Sequence, residues 1–151
     1  MIHYAYRTLD ENTTRQLLEL SRLWVEEDCS YGMVVNEASD LQSPVAVALD
    51  GGKIVGYCFG HAYVQEQRKS YIDAGKNCFS VDELYVLPRY RSTGIGRELF
   101  RMIETKARET CICLTLATST KNYKAILKLY IEELGMNFHS AFLIKNLEEM
   151  I

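Results

Sequence analysis

The stretch VDELYVLPRYRSTGIGRELF, residues 81–100, contains the signals that decide the fold. An apolar run leads to Pro88, two arginines follow, and Gly94 and Gly96 lie at the start of a run in which Ile95, Leu99 and Ile103 have helical spacing. Proline has no N–H to give to a sheet, so the run at residues 78–87 is predicted to be a strand that ends there. The stretch therefore predicts a strand, a basic turn and a helix that runs from Gly94 to about residue 109.

The turn between this strand and this helix has the chemistry of a phosphate site. Glycines lack a Cβ and let a ligand approach the backbone. The first turn of a helix has unpaired N–H groups and partial positive charge, both of which suit a phosphate. Four arginines add positive charge in a chain whose net charge is −3: Arg89, Arg91, Arg97 and Arg101. Leu99 replaces the third glycine of a dinucleotide-binding fingerprint, and no G-K-[ST] follows, so neither of those motifs is present.

The rest of the chain alternates between strand and helix patterns. Outside the opening stretch, strands are predicted at Ile2–Arg7, 44–49, 53–64, 111–119 and 136–147, and helices from a cap at Asp10 or Thr13 to Glu27 and over 122–134. Residues 29–43 are predicted to be a loop, residues 50–52 a tight turn, and residues 65–77 a long exposed connection. The order β-α-β-β-β-α-β-α-β indicates an α/β (α+β) fold with helices covering one mixed sheet.

Length and composition limit the class of protein. With 151 residues, 48% apolar and 25% charged, we expect one globular domain over residues 1–151. No apolar run is long enough to cross a membrane, and residues 1–15 lack a signal-peptide pattern, so we expect a cytoplasmic protein without membrane association. The acidic balance argues against nucleic-acid binding. Five scattered cysteines without a C-x-x-C pair predict buried thiols and no metal site.

Two segments carry a family resemblance. Residues 83–100, ELYVLPRYRSTGIGRELF, resemble motif A of the GNAT superfamily of acetyl-CoA-dependent N-acetyltransferases, with Arg91, Gly94 and Gly96 at its three defining positions. Residues 122–136, NYKAILKLYIEELGM, are similar to the N-x-x-A-x-x-L-Y-x-x-x-G-F segment of that family. The resemblance implies a mostly antiparallel central sheet with helices on both faces. It also implies acetyl transfer to a primary amine by direct attack in a ternary complex.

The resemblance also implies where acetyl-CoA binds. In the family, the strand of motif A and the strand after the next helix splay apart, and the pantetheine arm pairs with main-chain groups in the gap. Here those groups belong to Leu84, Tyr85 and Val86, and an N–H near Val86 is expected to face the thioester oxygen. The pyrophosphate is expected at the turn that comprises Arg91, Ser92, Thr93, Gly94, Ile95, Gly96 and Arg97, with Asn122 also near the cofactor.

Candidate catalytic residues flank this gap. Glu83 and Asp82 precede the pantetheine contacts and lie on opposite faces of a strand, so we expect one of them, Glu83 by preference, to be the general base. A carboxylate at the end of a solvated strand is the alternative for each. Tyr130 matches the family's proton donor, but one extra residue on either side of it turns a helix by about 100°. Tyr123 is the substitute, and a packing role is the alternative for Tyr130.

The sequence indicates a class of acceptor without naming it. Residues 25–49 contain five acidic residues and no lysine or arginine: Glu26, Glu27, Asp28, Glu37 and Asp40. In the GNAT layout this segment is one wall of the acceptor cleft, so we expect a small-molecule or peptide amine that is cationic, although a solvated surface explains the charge equally simply. An acyl-CoA-binding or regulatory module without catalysis, or a transferase for another acyl group, remains the alternative function. The short C-terminus predicts an open sheet edge and a homodimer.

Overall fold

The computed structural model describes residues 1–148 and contains one five-stranded sheet in the order β1-β2-β3-β4-β5. The strands are β1 Ile2–Arg7, β2 Val45–Asp50, β3 Lys53–Gln65, β4 Lys76–Val86 and β5 Cys113–Thr115. The first four pair antiparallel and β5 joins β4 in parallel. The predicted mixed, mostly antiparallel sheet is confirmed.

The first helix, α1 (Glu11–Glu27), forms where the sequence predicts it. Asp10 caps it, because the Asp10 carboxylate accepts from the N–H of Thr13 at 2.7 Å. Leu17 and Leu20 are buried from the same side of the helix, one turn apart. Near its C-terminus, Trp24 stacks on Tyr85 of β4 with ring centroids 5.0 Å apart. The helix therefore covers the face of the sheet on which Tyr85 lies.

The second helix, α2 (Ile95–Ala107), covers the opposite face. Val86 follows Tyr85 on β4 and so points the other way, and a Cβ on Gly96 of α2 would meet Val86 Cγ2 at 3.8 Å. Leu99, Phe100 and Ile103 bury the inner side of α2 against the sheet. These contacts confirm helices on both faces, with β3 and β4 between them.

The parallel pair of β4 and β5 is short, and the strands then separate. Pairing covers only Cys78↔Cys113, Phe79↔Leu114 and Ser80↔Thr115, while β4 continues to Val86. The prediction of a strand over residues 111–119, buried on both faces, is wrong: three residues form the strand and all are half-buried. Residues 116–119 leave the sheet because β4 is no longer beside them, and a gap opens at that point.

The late helix has two parts. α3 (Tyr123–Leu127) is α-helical and continues directly as a π-helix over Lys128–Glu133. In the wider turn, the N–H of Leu134 reaches back five residues to the Leu129 carbonyl at 3.0 Å. The extra residue around Tyr130 is thus taken up within a widened turn.

The C-terminal segment does not form the predicted strand. No strand occurs within residues 136–148, and the apolar side chains of Phe142, Leu143, Ile144 and Leu147 are 67–92% exposed. A strand needs a hydrogen-bonded neighbour, and β5, the edge strand beside which this segment would have to pair, is only three residues long. The prediction rested on apolar composition alone and is wrong. Residues 149–151 of the expected domain lie outside the described residues. Within residues 1–148, none of the helices has the length and hydropathy of a membrane span.

Candidate active site

The gap between β4 and the segment after β5 is a cavity of about 440 Å³. Its walls come from β4, the loop after α1, residues 116–122, and the late helix. Eight of the residues that the sequence predicts for the site line it together: Glu83, Leu84, Tyr85, Val86, Arg91, Gly96, Asn122 and Tyr130. The splayed strands that the family resemblance implies are therefore present, and most candidate residues meet in one place.

The free edge of β4 presents main-chain groups to this cavity. The N–H of Leu87 donates to the Val55 carbonyl of β3 at 2.9 Å, and Tyr85 lies opposite Tyr57. Main-chain groups on an antiparallel strand alternate between its two edges. Those of Leu84 and Val86 therefore point away from β3, toward the side that β5 has left, whereas those of Tyr85 point toward β3, so the prediction that Tyr85 supplies main-chain groups to the arm is corrected. An extended ligand can pair with this edge as another strand would.

The start of α2 offers unpaired donors beside that edge. The first hydrogen bond of the helix runs from the N–H of Glu98 to the Gly94 carbonyl at 3.1 Å, so the N–H groups of residues 95–97 precede the ladder. Gly94 caps the helix with φ of 88°, a left-handed conformation that favours glycine. Around Gly96 the space is open, since an added Cβ would touch nothing closer than 3.8 Å. The geometry fits a phosphate group at this helix start.

The arginines of the turn are held by carboxylates in this structure. Arg91 donates from Nε to the Val86 carbonyl at 2.8 Å and from its two terminal nitrogens to Glu27 at 2.9 and 3.0 Å. Its guanidinium also lies over the Tyr85 ring at 5.4 Å. Arg97 pairs with Glu133 of the π-helix at 3.2 Å. Arg91 lines the cavity, whereas the remaining turn residues, Ser92, Thr93, Gly94, Ile95 and Arg97, do not.

Glu83 is half-buried and has three hydrogen bonds to its carboxylate. Asn36 Nδ2 donates to Oε1 at 2.9 Å and to Oε2 at 2.8 Å, and the Tyr57 hydroxyl donates to Oε1 at 2.7 Å. Burial raises the pKa of Glu83, and the bonds from Tyr57 and Asn36 act in the opposite direction. The balance leaves the pKa above its ordinary value, which suits a base that works near neutral pH.

Asp82 lies on the other face of β4, as strand alternation predicts. Its carboxylate contacts His61 Nδ1 at 2.7 Å and accepts from the Ser80 hydroxyl at 2.9 Å. Both Asp82 and Glu83 nonetheless line the cavity, because the cavity lies along the edge of the strand that separates them. The preference for Glu83 as the base therefore stays a prediction.

Tyr130 reaches the cavity from the π-helix. Its side chain is only 8% exposed and packs beside Phe100 with ring centroids 5.8 Å apart. Burial raises the pKa of Tyr130, so its phenol keeps its proton at neutral pH. Tyr123, the substitute donor, is 55% exposed and lies outside the cavity lining. The arrangement favours Tyr130, whose role stays a prediction.

Two segments of the chain meet beside the cavity. The loop after α1 meets the segment after β5, where the N–H of Tyr31 donates to the Ser119 carbonyl at 2.9 Å and the N–H of Lys121 donates to the Cys29 carbonyl at 2.8 Å. Lys121 also pairs with Asp28 at 3.1 Å. These contacts join the loop after α1 to the segment after β5 on one side of the cavity.

The acidic residues of the predicted acceptor wall make their contacts outside the cavity lining. Glu26 pairs with Arg22 on the surface of α1, Glu27 with Arg91, and Asp28 with Lys121. The other two, Glu37 and Asp40, cap a 3₁₀ turn at Ala38–Asp40. None of the five lines the cavity, whose carboxylates are those of Asp82 and Glu83.

Sequence reasoning missed the partners of the site residues. Asn36 and Glu83 are 47 residues apart, and Tyr57 and Glu83 are 26 apart on neighbouring strands. Tyr57 belongs to a strand that the sequence predicts, but its neighbours depend on a register that is shifted by a bulge between Phe59 and Gly60. Asn36 lies in a loop without periodicity, so no sequence signal indicated it. Among residues 1–148, no group of three or more His, Cys, Asp or Glu is placed to hold a metal ion.

A family model supplies the assignment. The model of the acetyltransferase (GNAT) family matches residues 8–136, which include both motifs and strands β2 to β5. The chain belongs to the GNAT family. Among curated proteins, no sequence matches this GNAT chain.

Solved structures share the GNAT fold over almost the full chain. A ribosomal-protein-alanine N-acetyltransferase from Brucella melitensis biovar Abortus 2308 has a TM-score of 0.65 at 19% identity and covers 97% of this chain and 99% of its own. A predicted acetyltransferase with acetyl-CoA from Clostridium acetobutylicum has a TM-score of 0.68 at 15% identity, with all of both chains covered. The aminoglycoside acetyltransferase AAC(6')-Iy, in complex with a CoA bisubstrate analog, has a TM-score of 0.63 at 15% identity and covers 95% and 97%. At these identities the likeness shows the fold.

Proposed function

We propose that this GNAT protein is an N-acetyltransferase that moves the acetyl group of acetyl-CoA to a primary amine by direct attack in a ternary complex. One observation carries the proposal: a carboxylate, Glu83, and a protonated phenol, Tyr130, line the same cavity as the start of α2. A base and an acid within one cavity are what aminolysis of a thioester requires. A module that only binds acyl-CoA has no need of either group.

Each residue has a defined part in the proposed reaction. Bound acetyl-CoA supplies a thioester whose acetyl carbon accepts the amine. The N–H groups of residues 95–97 hold phosphate, and main-chain groups of Leu84 and Val86 hold the extended arm. Glu83 takes the proton that the amine loses, the N–H of Val86 donates to the carbonyl oxygen, and Tyr130 gives its proton to the departing sulfur.

CoA release with a panel of amines tests the proposal. Purified protein is mixed with acetyl-CoA, and free thiol is measured with each amine and without one. We expect amine-dependent release and loss of about 10²–10⁴-fold in rate in Glu83→Gln. An Asp82→Asn variant is the matched control, since it removes the neighbouring carboxylate and separates the two candidate bases. Acetyl-CoA binding without release of CoA by any amine would indicate a binding module instead.

Direct attack is tested against transfer through the enzyme. Cys29 lines the cavity and is the one cysteine among residues 1–148 that does so. We expect intact-mass measurement after exposure to acetyl-CoA alone to show unmodified protein, and Cys29→Ala to keep its turnover. A stable acetyl adduct on Cys29 that an amine then discharges would contradict direct attack.

The cationic acceptor is proposed on new grounds. The charged groups of the cavity are Asp82 and Glu83 toward the middle of β4 and Arg91 toward α2, where the helix start adds positive charge. Such polarity draws an ammonium to one end and the phosphates of CoA to the other. We expect kcat/KM for a cationic amine to exceed that for an anionic one and to fall as salt rises. Preference for the anionic amine would contradict the assignment.

A homodimer remains part of the proposal. The apolar side chains of Phe142, Leu143, Ile144 and Leu147 are exposed, and β5 is one of the two edge strands among the described strands of the sheet. Apolar surface of this kind is typical of association sites. Sedimentation should give twice the monomer mass, and Leu143→Lys should lower it. A monomeric wild-type protein at micromolar concentration would contradict the dimer. The cytoplasmic location stays a prediction from sequence.

A further inference from the structure

Asn36 lies at the centre of a set of contacts that the reaction scheme above does not use. Its single amide group donates to both oxygens of the Glu83 carboxylate, at 2.9 and 2.8 Å. A carboxylate accepts and does not donate, so the amide must turn its NH₂ toward Glu83. No lysine or arginine forms an ion pair with Glu83 in the described chain. Neutral donors alone therefore stabilise its charge.

The loop that carries Asn36 is fixed at this residue. The main-chain N–H of Asn36 donates to the Ser21 hydroxyl at 2.7 Å, and Ser21 is fully buried on α1. The next residue, Glu37, begins a 3₁₀ turn with a reciprocal capping box to Asp40. The main chain at Asn36 is thus fixed by the bond to Ser21 and by the turn that follows it. The position of the Asn36 side chain therefore rests on an anchored segment of the loop.

Three of the acceptor positions of Glu83 are occupied by these neighbours. A carboxylate has about four lone-pair sites. Asn36 takes two, and the buried Tyr57 hydroxyl takes one at 2.7 Å. About one site is left, and Glu83 lines the cavity, where the amine has to give up its proton. The contacts therefore fix the direction from which a proton can arrive.

The groups that face Glu83 act in opposing directions. Tyr57 of β3 and Asn36 of the loop stabilise the ionised form by hydrogen bonds, while Asp82 of the same strand and Asp40 of the 3₁₀ turn disfavour it by like charge. Burial also disfavours it. Loss of either neutral donor removes a stabilising contact and leaves the opposing effects in place.

We propose that Asn36, assisted by Tyr57, is a positioning residue that keeps the Glu83 carboxylate ionised and leaves one of its lone pairs open to the acceptor amine. The inference rests on the proposed function, since it gives Glu83 the role of base. Asn36 acts through Glu83 and need not touch acetyl-CoA. Its substitution should therefore change the pH dependence of turnover and leave cofactor affinity as it is.

The test is the pH profile of kcat/KM in two variants of Asn36 and one variant of Tyr57. In wild type, the acid limb of this profile reports protonation of the proposed base, Glu83, in the free enzyme. Asn36→Ala removes two bonds to the ionised form and should move that limb up by about one pH unit or more. Asn36→Asp puts a carboxylate in place of the donor and should move it further. Tyr57→Phe should move it in the same direction as Asn36→Ala.

A control separates this effect from a general disturbance of the loop. Ser21→Ala removes only the main-chain contact of Asn36 and leaves both side-chain bonds to Glu83 in place, so its acid limb should move less than that of Asn36→Ala. Calorimetry with acetyl-CoA should give the same affinity for all four variants. The order wild type, Asn36→Ala, Asn36→Asp along the pH axis is the expected result, and a merely structural role would not produce it.

Two outcomes distinguish the failures. If Glu83→Gln removes the acid limb but Asn36→Ala and Asn36→Asp keep that of wild type, the positioning role is refuted and the proposed base stands. If Glu83→Gln itself keeps the full rate and pH profile, both the base and the positioning role are refuted. Because Asn36 is in a loop, its variants are expected to fold. If Tyr57→Phe does not fold, the two Asn36 variants alone decide whether the positioning role holds.

Discussion

Replacement of Gly96 by alanine should make the free protein more stable and its complex with acetyl-CoA weaker. Gly96 is in the first turn of α2, outside the left-handed region, and an added Cβ would meet Val86 Cγ2 at 3.8 Å, an ordinary contact. Nothing in the free protein therefore requires glycine there. If the residue is glycine so that phosphate can approach the backbone, the two effects must have opposite signs.

The size of both effects can be worked out. A glycine-to-alanine change at a compatible position stabilises by about 0.4–1 kcal/mol, chiefly because the unfolded chain loses freedom. For a domain of this size that raises Tm by about 1–4 °C. A methyl group forced into a fitted contact costs about 1–3 kcal/mol. If the added methyl group makes such a contact with bound acetyl-CoA, the affinity for acetyl-CoA falls by roughly 5- to 150-fold.

Thermal unfolding with and without acetyl-CoA is the assay. At a ligand concentration of 100 times the wild-type Kd, the wild type gains about 2.7 kcal/mol. A variant with 100-fold weaker affinity gains RT ln 2, about 0.4 kcal/mol, under the same conditions. The variant should therefore melt above wild type when free and below it when acetyl-CoA is present.

Gly94→Ala is the matched control. Gly94 has φ of 88°, so a side chain there is strained whether or not ligand is bound. That variant should lose about 1–2 kcal/mol in the free protein. If Gly96→Ala binds acetyl-CoA as tightly as wild type by calorimetry, the start of α2 is not the phosphate site. If it is less stable than wild type when free, the account of Gly96 is wrong.

Three further predictions concern the acid, the sheet and the ion pair at the cavity. Tyr130→Phe should lower kcat by about 10²-fold or more with the KM for acetyl-CoA unchanged, and an unchanged kcat in steady-state assays would leave Tyr130 a packing residue. Gly60→Ala should destabilise by about 1–3 kcal/mol in urea unfolding, because its Cβ would lie 2.0 Å from the Ser80 carbonyl oxygen; stability equal to wild type would mean that the strand can shift freely. Glu27→Gln should strengthen acetyl-CoA binding by calorimetry, since it frees the Arg91 guanidinium from a carboxylate, and weaker binding would show that Arg91 must be held by Glu27 to act.

The sequence predicted those elements that local signals define. The Asp10 cap and the spacing of Leu17 and Leu20 give α1 its bounds, and Gly51 and Gly52 mark the turn between β2 and β3. The helix start at Gly94 follows from its glycine and the preceding proline. Each of these signals lies within a few residues of the feature it specifies, so no knowledge of the tertiary structure is needed.

The remaining features depend on contacts between distant parts of the chain. β5 ends at Thr115 because β4 diverges from it. The apolar run in residues 111–119 gives no indication of this divergence. The segment after Met136 has strand composition but no strand partner among the described residues. Asn36 meets Glu83 only after α1, the loop and two strands have folded. Such pairings are set by register and topology, not by local propensity.

The π-helix at Lys128–Glu133 has a consequence for changes in chain length. A residue added between Leu99 and Ile103 of α2 would turn everything after it by about 100° and take Ile103 and Ala107 off the core. The late helix already accommodates one residue more than a regular turn holds, and Tyr130 is still buried. Loss of one residue from 131–133 would let the turn close to α-helical spacing without moving the segment before it. A one-residue deletion that would destroy α2 should therefore be tolerated in the late helix, and natural shortening within this domain should concentrate there.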